Sequence, residues 1–285
     1  MNRCPVCQNS PGTGHATVGE YTFLECADCT HVFLDLEAGP SQVEEVYDDK
    51  YFTTGGQGYE DYFAESELIT NRGRLYTGIL GEFADPGRLL DVGCASGFTS
   101  LGFSEKGWEV EGVEPNSHMA ECGRQSYGMN IRTGDLESLS EATVPFRAIT
   151  AIQVAAHFYD VRRAFERFSE LLEDEGLLLI ETWNYRSGIA RLLGAGWHEF
   201  SPPSVLNCFS RRSLDLLAAQ FGFRKLESRL TFKSIKAGHA RSLLAEKAER
   251  SPVMKAAELV SRIIPAQVSV IYPADDLFWV LYQKA

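Results

Sequence analysis

The chain has 285 residues, with 39 acidic and 27 basic side chains and a formal net charge of -12. This charge, together with the absence of any Lys/Arg run longer than two residues, argues against a nucleic-acid partner, which requires clustered cations to neutralise phosphates. An apolar content of 44% is sufficient for a packed core. Because the first residues lack the apolar segment of a signal peptide and no apolar stretch approaches the roughly 20 residues that cross a bilayer, we expect a cytoplasmic protein with no membrane span.

Four of the seven cysteines form two C-x2-C pairs near the start of the sequence, at Cys4, Cys7, Cys26 and Cys29. Two tight turns with this spacing can each offer two thiolates to one tetrahedral ion, so the pattern predicts a structural zinc site with no open coordination position. A redox C-x-x-C pair or free thiols are the alternatives, but a redox pair needs no second pair.

Two apolar stretches around the second pair, at 21–25 and 31–34, predict strands. A segment this short cannot fold on a hydrophobic core, so metal binding is expected to supply its folding free energy. The sequence therefore predicts a small zinc ribbon over residues 1–40. His15 and His31 are surplus to the metal site and are expected to be surface or packing residues.

Residues 41–87 are predicted to form a helical linker. A capping-box pattern predicts a short helix from Ser41 to about Asp48, and the glycine-rich stretch at 55–58 predicts a loop. Apolar residues that recur on one face then predict a long helix from about residue 62, which Asp85-Pro86-Gly87 ends.

From residue 88 onward, short apolar runs alternate with helical patterns. Strands are predicted at 88–91, 108–113, 130–132, 147–153, 176–181, 223–232 and 277–283. Helices are predicted at 97–106, 116–127, 160–172 and 210–220. This alternation predicts an α/β domain over 88–285, with a doubly wound, mostly parallel seven-stranded Rossmann-like sheet. A polar, helix-like insert at about 233–275 is expected to form a lid or a homodimer contact.

The stretch LLDVGCASGF, residues 89–98, follows the first predicted strand of this domain, where ligands of doubly wound sheets bind. A dinucleotide fingerprint counted from Gly93 fails at Ala95 and at Phe98, which stand where two further small residues are required. The lysine and the spacing of an ATP-binding or GTP-binding phosphate loop are also missing.

The pattern Asp91-x-Gly93-x-Ala95-x-Gly97 resembles the first motif of class I S-adenosylmethionine-dependent methyltransferases, with alanine at the middle glycine. An alanine there permits close approach of a ligand if its φ is negative. Two further landmarks match the family. Glu114 ends the next strand, 23 residues after Asp91, at about the distance of the acidic ribose ligand in nucleotide-binding βαβ units.

The third landmark is Gly134-Asp135-Leu136, which in that family brackets the adenine, with the aspartate accepting from its exocyclic amine. The resemblance also implies that Asp91 faces the α-amino group of the ligand through water, and that residues 41–87 cover the cofactor. The residues expected to bind S-adenosylmethionine are Asp91, Gly93, Ala95, Gly97, Phe98, Glu114, Pro115, Asp135, Leu136 and Gln153.

Catalysis by methyl transfer from a sulfonium needs alignment above all, and a base if the acceptor must lose a proton. His157 follows the fourth strand where family members commonly carry Glu-His, although the preceding residue here is Ala156. Its ordinary pKa of about 6.5 suits a general base. Capping of the strand, or packing against it, is the alternative role for this histidine.

The acceptor side is expected to include Trp183 and Tyr185, after the fifth strand, and His198, before Pro202-Pro203. Packing is the alternative role for the two aromatic residues. Together, four features resemble a bacterial subgroup of the family that often tailors sugars, lipids or secondary metabolites: the zinc ribbon, Tyr51-Phe52, the long helix, and the stretch WHEFSPP at 197–203 before Cys208-Phe209-Ser210. In relatives a histidine often follows the two prolines, whereas this sequence reads Ser-Val-Leu-Asn at 204–207.

The sequence thus predicts a methyltransferase that acts on a small-molecule acceptor, with S-adenosylmethionine and a structural Zn2+ as its cofactors. The alternative is a catalytically inactive S-adenosylmethionine-binding regulatory or scaffold protein, favoured by Ala95 and Ala156.

Overall fold

A seven-stranded sheet, with helices on both faces, forms the centre of the computed structural model. The structure describes residues 3–41, 46, 62–137, 139, 144–248, 259–271 and 275–285. The loop predicted at 55–58 lies outside these residues, as does most of the short helix predicted from Ser41. In the described part of the chain, no helix combines the length and the apolar character needed to cross a membrane.

The strands, in chain order, are β1 (Gly12–Val18), β2 (Tyr21–Cys26), β3 (Val32–Leu34), β4 (Arg88–Val92), β5 (Glu109–Glu114), β6 (Asn130–Thr133), β7 (Phe146–Ile152), β8 (Leu172–Trp183), β9 (Asn207–Cys208), β10 (Phe223–Leu230), β11 (Ser234–Lys236), β12 (Ser269–Ile271) and β13 (Leu277–Lys284). The α-helices are α1 (Ser66–Leu80), α2 (Phe98–Ser104), α3 (Ser117–Tyr127), α4 (Val161–Leu171), α5 (Gly188–Leu193), α6 (Arg211–Gln220) and α7 (Ala237–Ala248).

The central sheet has the strand order β10-β13-β8-β7-β4-β5-β6. Five neighbouring strands, from β8 to β6, are parallel, whereas β13 runs antiparallel to both β8 and β10. The predicted doubly wound, mostly parallel seven-stranded sheet is therefore confirmed. Because the parallel strands end at one edge, the turns after β4, β5, β6, β7 and β8 lie along that edge.

Both faces of the sheet are covered because its strands alternate apolar side chains to either side. On one face, Phe165 and Phe168 of α4 pack with Leu214 of α6 in a buried cluster. On the other face, Tyr76 of α1 and Phe103 of α2 pack in a second cluster. The two packed faces fix the strand ends, and with them the turns that carry the candidate site.

The cysteine-rich start of the chain forms a separate four-stranded sheet in the order β1-β2-β3-β9. The two predicted ribbon strands are present as β2 and β3. The first and last strands of this sheet were not predicted from the sequence. β9 belongs to the chain after β8, and it pairs with β3 through Val32 opposite Cys208 and Phe33 opposite Asn207.

The boundary predicted at residue 40 thus separates two segments that share a sheet, and the predicted domain limits stay a prediction.

The insert contains a helix, α7, between two short antiparallel strands, β11 and β12. Helical structure resumes at residue 259 among the described residues. Its role as a lid or a dimer contact stays a prediction.

Gly73 allows α1 and α2 to pack closely, and this contact can be tested. A Cβ at Gly73 would lie 2.2 Å from the carbonyl oxygen of Thr99, whereas a Cβ at Gly78 of the same helix would meet nothing within 4 Å. We expect Gly73→Ala to lower the free energy of unfolding by about 1–3 kcal/mol through overpacking. Gly78→Ala should raise it by up to about 1 kcal/mol through helix propensity. Denaturant unfolding of both variants checks this, and equal effects would contradict the packing.

Candidate functional site

The turn after β4 alternates left-handed residues with ordinary ones. The φ angles are +66° at Gly93, +49° at Ala95 and +81° at Gly97, which caps the start of α2. The negative φ that would favour Ala95 is therefore not observed, and alanine takes the conformation that glycine enters more cheaply. Left-handed backbone costs an L-residue about 1–2 kcal/mol, so a compensating contact is required.

That contact is a hydrogen bond from the Ala95 backbone N–H to the Glu114 carboxylate, with a nitrogen–oxygen distance of 2.9 Å. The second carboxylate oxygen of Glu114 accepts from the backbone N–H of Asn116, also at 2.9 Å. Glu114 thus ties the turn after β4 to the turn after β5. Because each carboxylate oxygen has two acceptor positions, these bonds leave Glu114 able to accept from a ligand as well.

Asp91 lies beneath this turn and is 1% exposed. Its two carboxylate oxygens accept from the hydroxyls of Ser100 and Thr150, at 2.7 and 2.8 Å. Burial raises the pKa of Asp91 to about 6 and that of Glu114 to about 7. Neither carboxylate pairs with a Lys or Arg side chain among the described residues. The site therefore contains two buried acidic groups with only hydroxyl and amide donors.

The other residues predicted to bind a cofactor lie along the same edge of the sheet. Phe98, at the start of α2, stacks on Tyr62 with a centroid distance of 5.3 Å. Asp135 accepts a hydrogen bond from the Tyr159 hydroxyl at 3.3 Å, and Leu136 is buried. Pro115 and Gly134 are half-buried, and a Cβ added at Gly134 would meet nothing within 4 Å. Open space therefore adjoins Gly134, whose N–H donates to the backbone carbonyl of Glu114 at 2.9 Å.

Gln153 follows β7 and also has a left-handed backbone, with a φ of +60°. Its side-chain amide donates to Glu181 at 2.7 Å, and its amide oxygen accepts from the Lys233 ammonium at 2.9 Å. The buried Glu181 carboxylate also accepts from the Tyr76 hydroxyl and pairs with Arg72. Gln153 is thereby connected to α1 and to the segment after β10.

Arg72, Tyr76 and Lys233 are members of this polar cluster that sequence reasoning missed. Burial lowers the pKa of Lys233. One signal was available in the sequence: Glu181 directly follows three leucines and an isoleucine in β8, and a carboxylate buried in such a strand requires partners. The identity of the partners requires the tertiary structure, since they come from a helix and a connection distant in sequence.

His157 lies in a short 3-10 turn over Ala155–His157. Its Nδ1 donates to the backbone carbonyl of Ser204 at 2.7 Å. Burial lowers the pKa of this histidine, so the ring is neutral at pH 7 with its proton on Nδ1. The unprotonated nitrogen is then Nε2.

Two of the predicted acceptor residues lie together, and the third contacts the ribbon. The rings of Trp183 and His198 meet edge-to-face with centroids 4.6 Å apart. The Tyr185 hydroxyl instead donates to the backbone carbonyl of Thr30 and, at 3.2 Å, to the Glu25 carboxylate. Tyr185 therefore contributes its polar group to the ribbon contact.

The four ribbon cysteines form one cluster. Their sulfur atoms all lie within 4.8 Å of one another, with 3.4 Å between Cys4 and Cys29 and 3.5 Å between Cys7 and Cys26. The two C-x2-C segments form similar turns. The N–H of Gln8 donates to the carbonyl of Cys4, and the N–H of Thr30 donates to the carbonyl of Cys26. The arrangement can hold a tetrahedral ion.

The sequence profile of a family described as a methyltransferase domain matches residues 62–228, which is more than half of the chain. A ubiquinone biosynthesis O-methyltransferase from Azorhizobium caulinodans is 30% identical over 105 residues, covering 34% of this chain and 40% of that protein. The chain spans 39% to 59% of the length of the first three curated relatives it matches.

Two solved structures share the fold. The YcgJ protein of Bacillus subtilis matches with a TM-score of 0.55 and 17% identity, over 75% of this chain and 98% of its own. A Thermotoga maritima protein described as a "SAM-dependent methyltransferase, possible histamine N-methyltransferase" matches with a TM-score of 0.52 and 16% identity, over 79% and 93% of the two chains.

Because the backbone of Ala95 is left-handed, a glycine substitution at this position should not destabilise the fold. Ala95→Gly should leave the free energy of unfolding unchanged or raise it by up to about 1 kcal/mol, because relief of strain outweighs the added freedom of the unfolded chain. Ala120→Gly is the matched control: Ala120 is buried within α3, so its variant should lose at least about 1 kcal/mol. Denaturant unfolding measures both, and an Ala95→Gly loss as large as that of the control would contradict the assigned conformation.

Proposed function

The chain belongs to the methyltransferase domain family, and on that premise we propose that it transfers a methyl group from S-adenosylmethionine to a small-molecule acceptor. The observation that carries this proposal is the buried pair Asp91 and Glu114, which lacks a cationic partner in the described part of the chain. S-adenosylmethionine bears an ammonium and a sulfonium, and such a ligand would compensate the two buried carboxylates.

The binding roles follow from position along the edge of the sheet. Glu114 would accept from the ribose hydroxyls, and Asp135 with Leu136 would bracket the adenine. Gly93, Ala95 and Gly97 would keep the turn close to the ligand, with Phe98 and Pro115 beside it. Asp91 would hold α2 in place through Ser100 and add negative charge near the ligand ammonium.

The chemistry that the bound cofactor supplies is an electrophilic methyl group on sulfur, which reacts by in-line displacement. The residues of the chain then have to align the acceptor and remove its proton. His157 would do the latter at Nε2, because its Nδ1–H is committed to the Ser204 carbonyl. Gln153, fixed by Glu181 and Lys233, would line the space between cofactor and acceptor.

The acceptor is proposed to be a sugar, lipid or secondary-metabolite intermediate, with Trp183 and His198 forming one wall of its site. The O-methyltransferase relative makes a hydroxyl acceptor one candidate. The inactive alternative rests on Ala95 and Ala156. Ala95 takes the left-handed conformation that glycine would take, so the departure at Ala95 keeps the shape of the turn. At Ala156 the acidic side chain is absent, and the turnover assay below decides between the two readings.

A structural Zn2+ is proposed for Cys4, Cys7, Cys26 and Cys29. Zn–S bonds of about 2.3 Å place the sulfurs of a tetrahedral site about 3.8 Å apart, which agrees with a cluster whose sulfurs all lie within 4.8 Å. We also propose a cytoplasmic location, supported by cysteines that form no disulfide. Exposed apolar side chains of the insert, such as Ile263 and Ile271, support a homodimer contact.

The raised pKa of Glu114 predicts pH-dependent binding. Glu114 is protonated below pH 7 and has to ionise to accept two hydroxyls, so affinity for S-adenosylmethionine should increase about tenfold from pH 6 to pH 8. Glu114→Gln should weaken binding and flatten this dependence. Glu111→Gln is the control, because Glu111 lies on the same strand but pairs with Arg88 and Arg132. Titration calorimetry of the three proteins checks the prediction, which an unchanged slope in Glu114→Gln would contradict.

The proposed base predicts a selective loss of turnover. His157→Gln keeps an N–H donor for Ser204 but removes the base, so methyl transfer should fall by roughly 10²–10⁴-fold while S-adenosylmethionine affinity stays within about twofold. The assay follows an isotope-labelled methyl group into a small-molecule cell extract. His118→Gln, at an exposed position of α3, is the control. If the wild type binds the cofactor but never labels a product, the enzyme proposal fails; if His157→Gln is fully active, the base role fails.

The zinc proposal predicts about one zinc per purified chain. Cys26→Ser should lower this content and destabilise the ribbon, because metal binding supplies its folding free energy. Cys122→Ser, which changes a cysteine on α3 outside the cluster, should leave the content unchanged. Elemental analysis reads both, and well under one zinc per wild-type chain would rule the site out.

A further inference from the structure

The ribbon and the turn that carries His157 are connected by one short segment, residues 204–208. Its end, β9, pairs with β3 of the ribbon, and the N–H of Leu34 donates to the carbonyl of Leu206 at 2.9 Å. On its other side, the N–H of Leu206 donates to the carbonyl of Ala156 at 2.9 Å. Leu206 therefore lies between a ribbon strand and the residue that precedes His157.

Asn207 makes a second connection with its side chain. Its amide oxygen accepts from Nε2 of His31 at 3.1 Å, and its amide nitrogen donates to the carbonyl of Phe158 at 2.8 Å. Asn207 is buried and His31 is 0% exposed, packed against Phe33 and Phe209. A buried amide that satisfies two partners holds both in fixed positions, since breaking either bond would leave a buried polar group unpaired.

The two connections flank His157. Ala156 and Phe158 are its chain neighbours, and Ser204, which accepts from its Nδ1, is three residues before Asn207. The orientation of the imidazole and the choice of the protonated nitrogen thus depend on where residues 204–207 lie. The ribbon holds the second half of this segment, through Leu34 at Leu206 and His31 at Asn207, while Ser201 holds Ser204 at the other end.

We propose that Asn207 is a positioning residue for methyl transfer: by bridging His31 of the ribbon to Phe158, it keeps the Ser204 carbonyl against Nδ1 of His157, so that the ribbon is a working part of the catalytic site. This inference rests on the proposed function of His157 as the base. It assigns to the ribbon a role inside the enzyme, in contrast to a module that docks a separate partner.

The structure offers a matched control at the other end of the ribbon. The backbone carbonyl of Val6, in the first cysteine turn, accepts from Gln220 of α6 at 3.1 Å and from Arg162 of α4 at 3.0 Å. Gln220→Leu weakens the attachment of the ribbon without touching the segment beside His157. It therefore separates general loosening of the ribbon from loss of the bridge.

The test uses the full zinc-bound chain with 15N-labelled histidine. In the wild type, the ring spectrum should show His157 as a single neutral tautomer protonated at Nδ1. In Asn207→Leu, which removes both side-chain hydrogen bonds, a mixture of both tautomers is expected, whereas Gln220→Leu should keep the wild-type form. His157→Gln assigns the signal. If Asn207→Leu fails to fold, His31→Phe preserves the aromatic packing, removes the donor to Asn207, and should shift the tautomers in the same direction.

Activity gives the second measurement. Methyl transfer should fall about tenfold or more in Asn207→Leu, with S-adenosylmethionine affinity within about twofold, because a small displacement of a base costs turnover more than binding. A single Nδ1 tautomer in both bridge variants, or a shifted tautomer with unchanged turnover, would overturn the inference. A wild type that does not bind S-adenosylmethionine would instead defeat the proposed function, while the ring spectrum still decides whether the bridge positions His157.

Discussion

The carboxylate of Glu114 is the group on which the site depends. It ends β5 and accepts the backbone N–H groups of Ala95 and Asn116, so that one side chain joins the turns after two central strands. The bond to Ala95 offsets the cost of a left-handed alanine. Asp91 is buried nearby, and its hydrogen bonds within the described part of the chain also come from neutral donors, so the region is unfavourable for negative charge until a cation binds. A sulfonium ligand with an ammonium group fits this requirement.

On the acceptor side, the ribbon plays the corresponding structural role. The small cysteine-rich sheet takes β9 from the chain after β8 as its fourth strand, and the carbonyl of Thr30 accepts from the Tyr185 hydroxyl. The hydrogen bonds of β9 and its preceding residues reach the turn of His157. In the proposed reaction, cofactor binding therefore depends on Glu114, whereas the position of the proposed base on the acceptor side depends on the ribbon.

The central sheet could be predicted because apolar runs, such as β4, β7, β8 and β13, alternate with helical patterns along the chain, and the cysteine cluster because its spacing is specific. β1 was missed because Gly12, Gly14 and the polar Thr13 between them resemble a turn. β9 has two residues and exists only through its pairing with β3. The conformation of Ala95 was not predictable, because the contact that offsets its strain comes from Glu114, 19 residues later. The cluster around Glu181 likewise needs α1 and the segment after β10 to come together.

The central claim is that the edge of the sheet around Glu114 binds S-adenosylmethionine. The most direct measurement is a crystal structure of the zinc-bound chain with S-adenosylhomocysteine. The account predicts ribose hydroxyls on the Glu114 carboxylate, the adenine beside Asp135 and Leu136, and the sulfur directed toward His157. A ligand bound elsewhere, or a Glu114 carboxylate that makes no contact with the ribose, would contradict it.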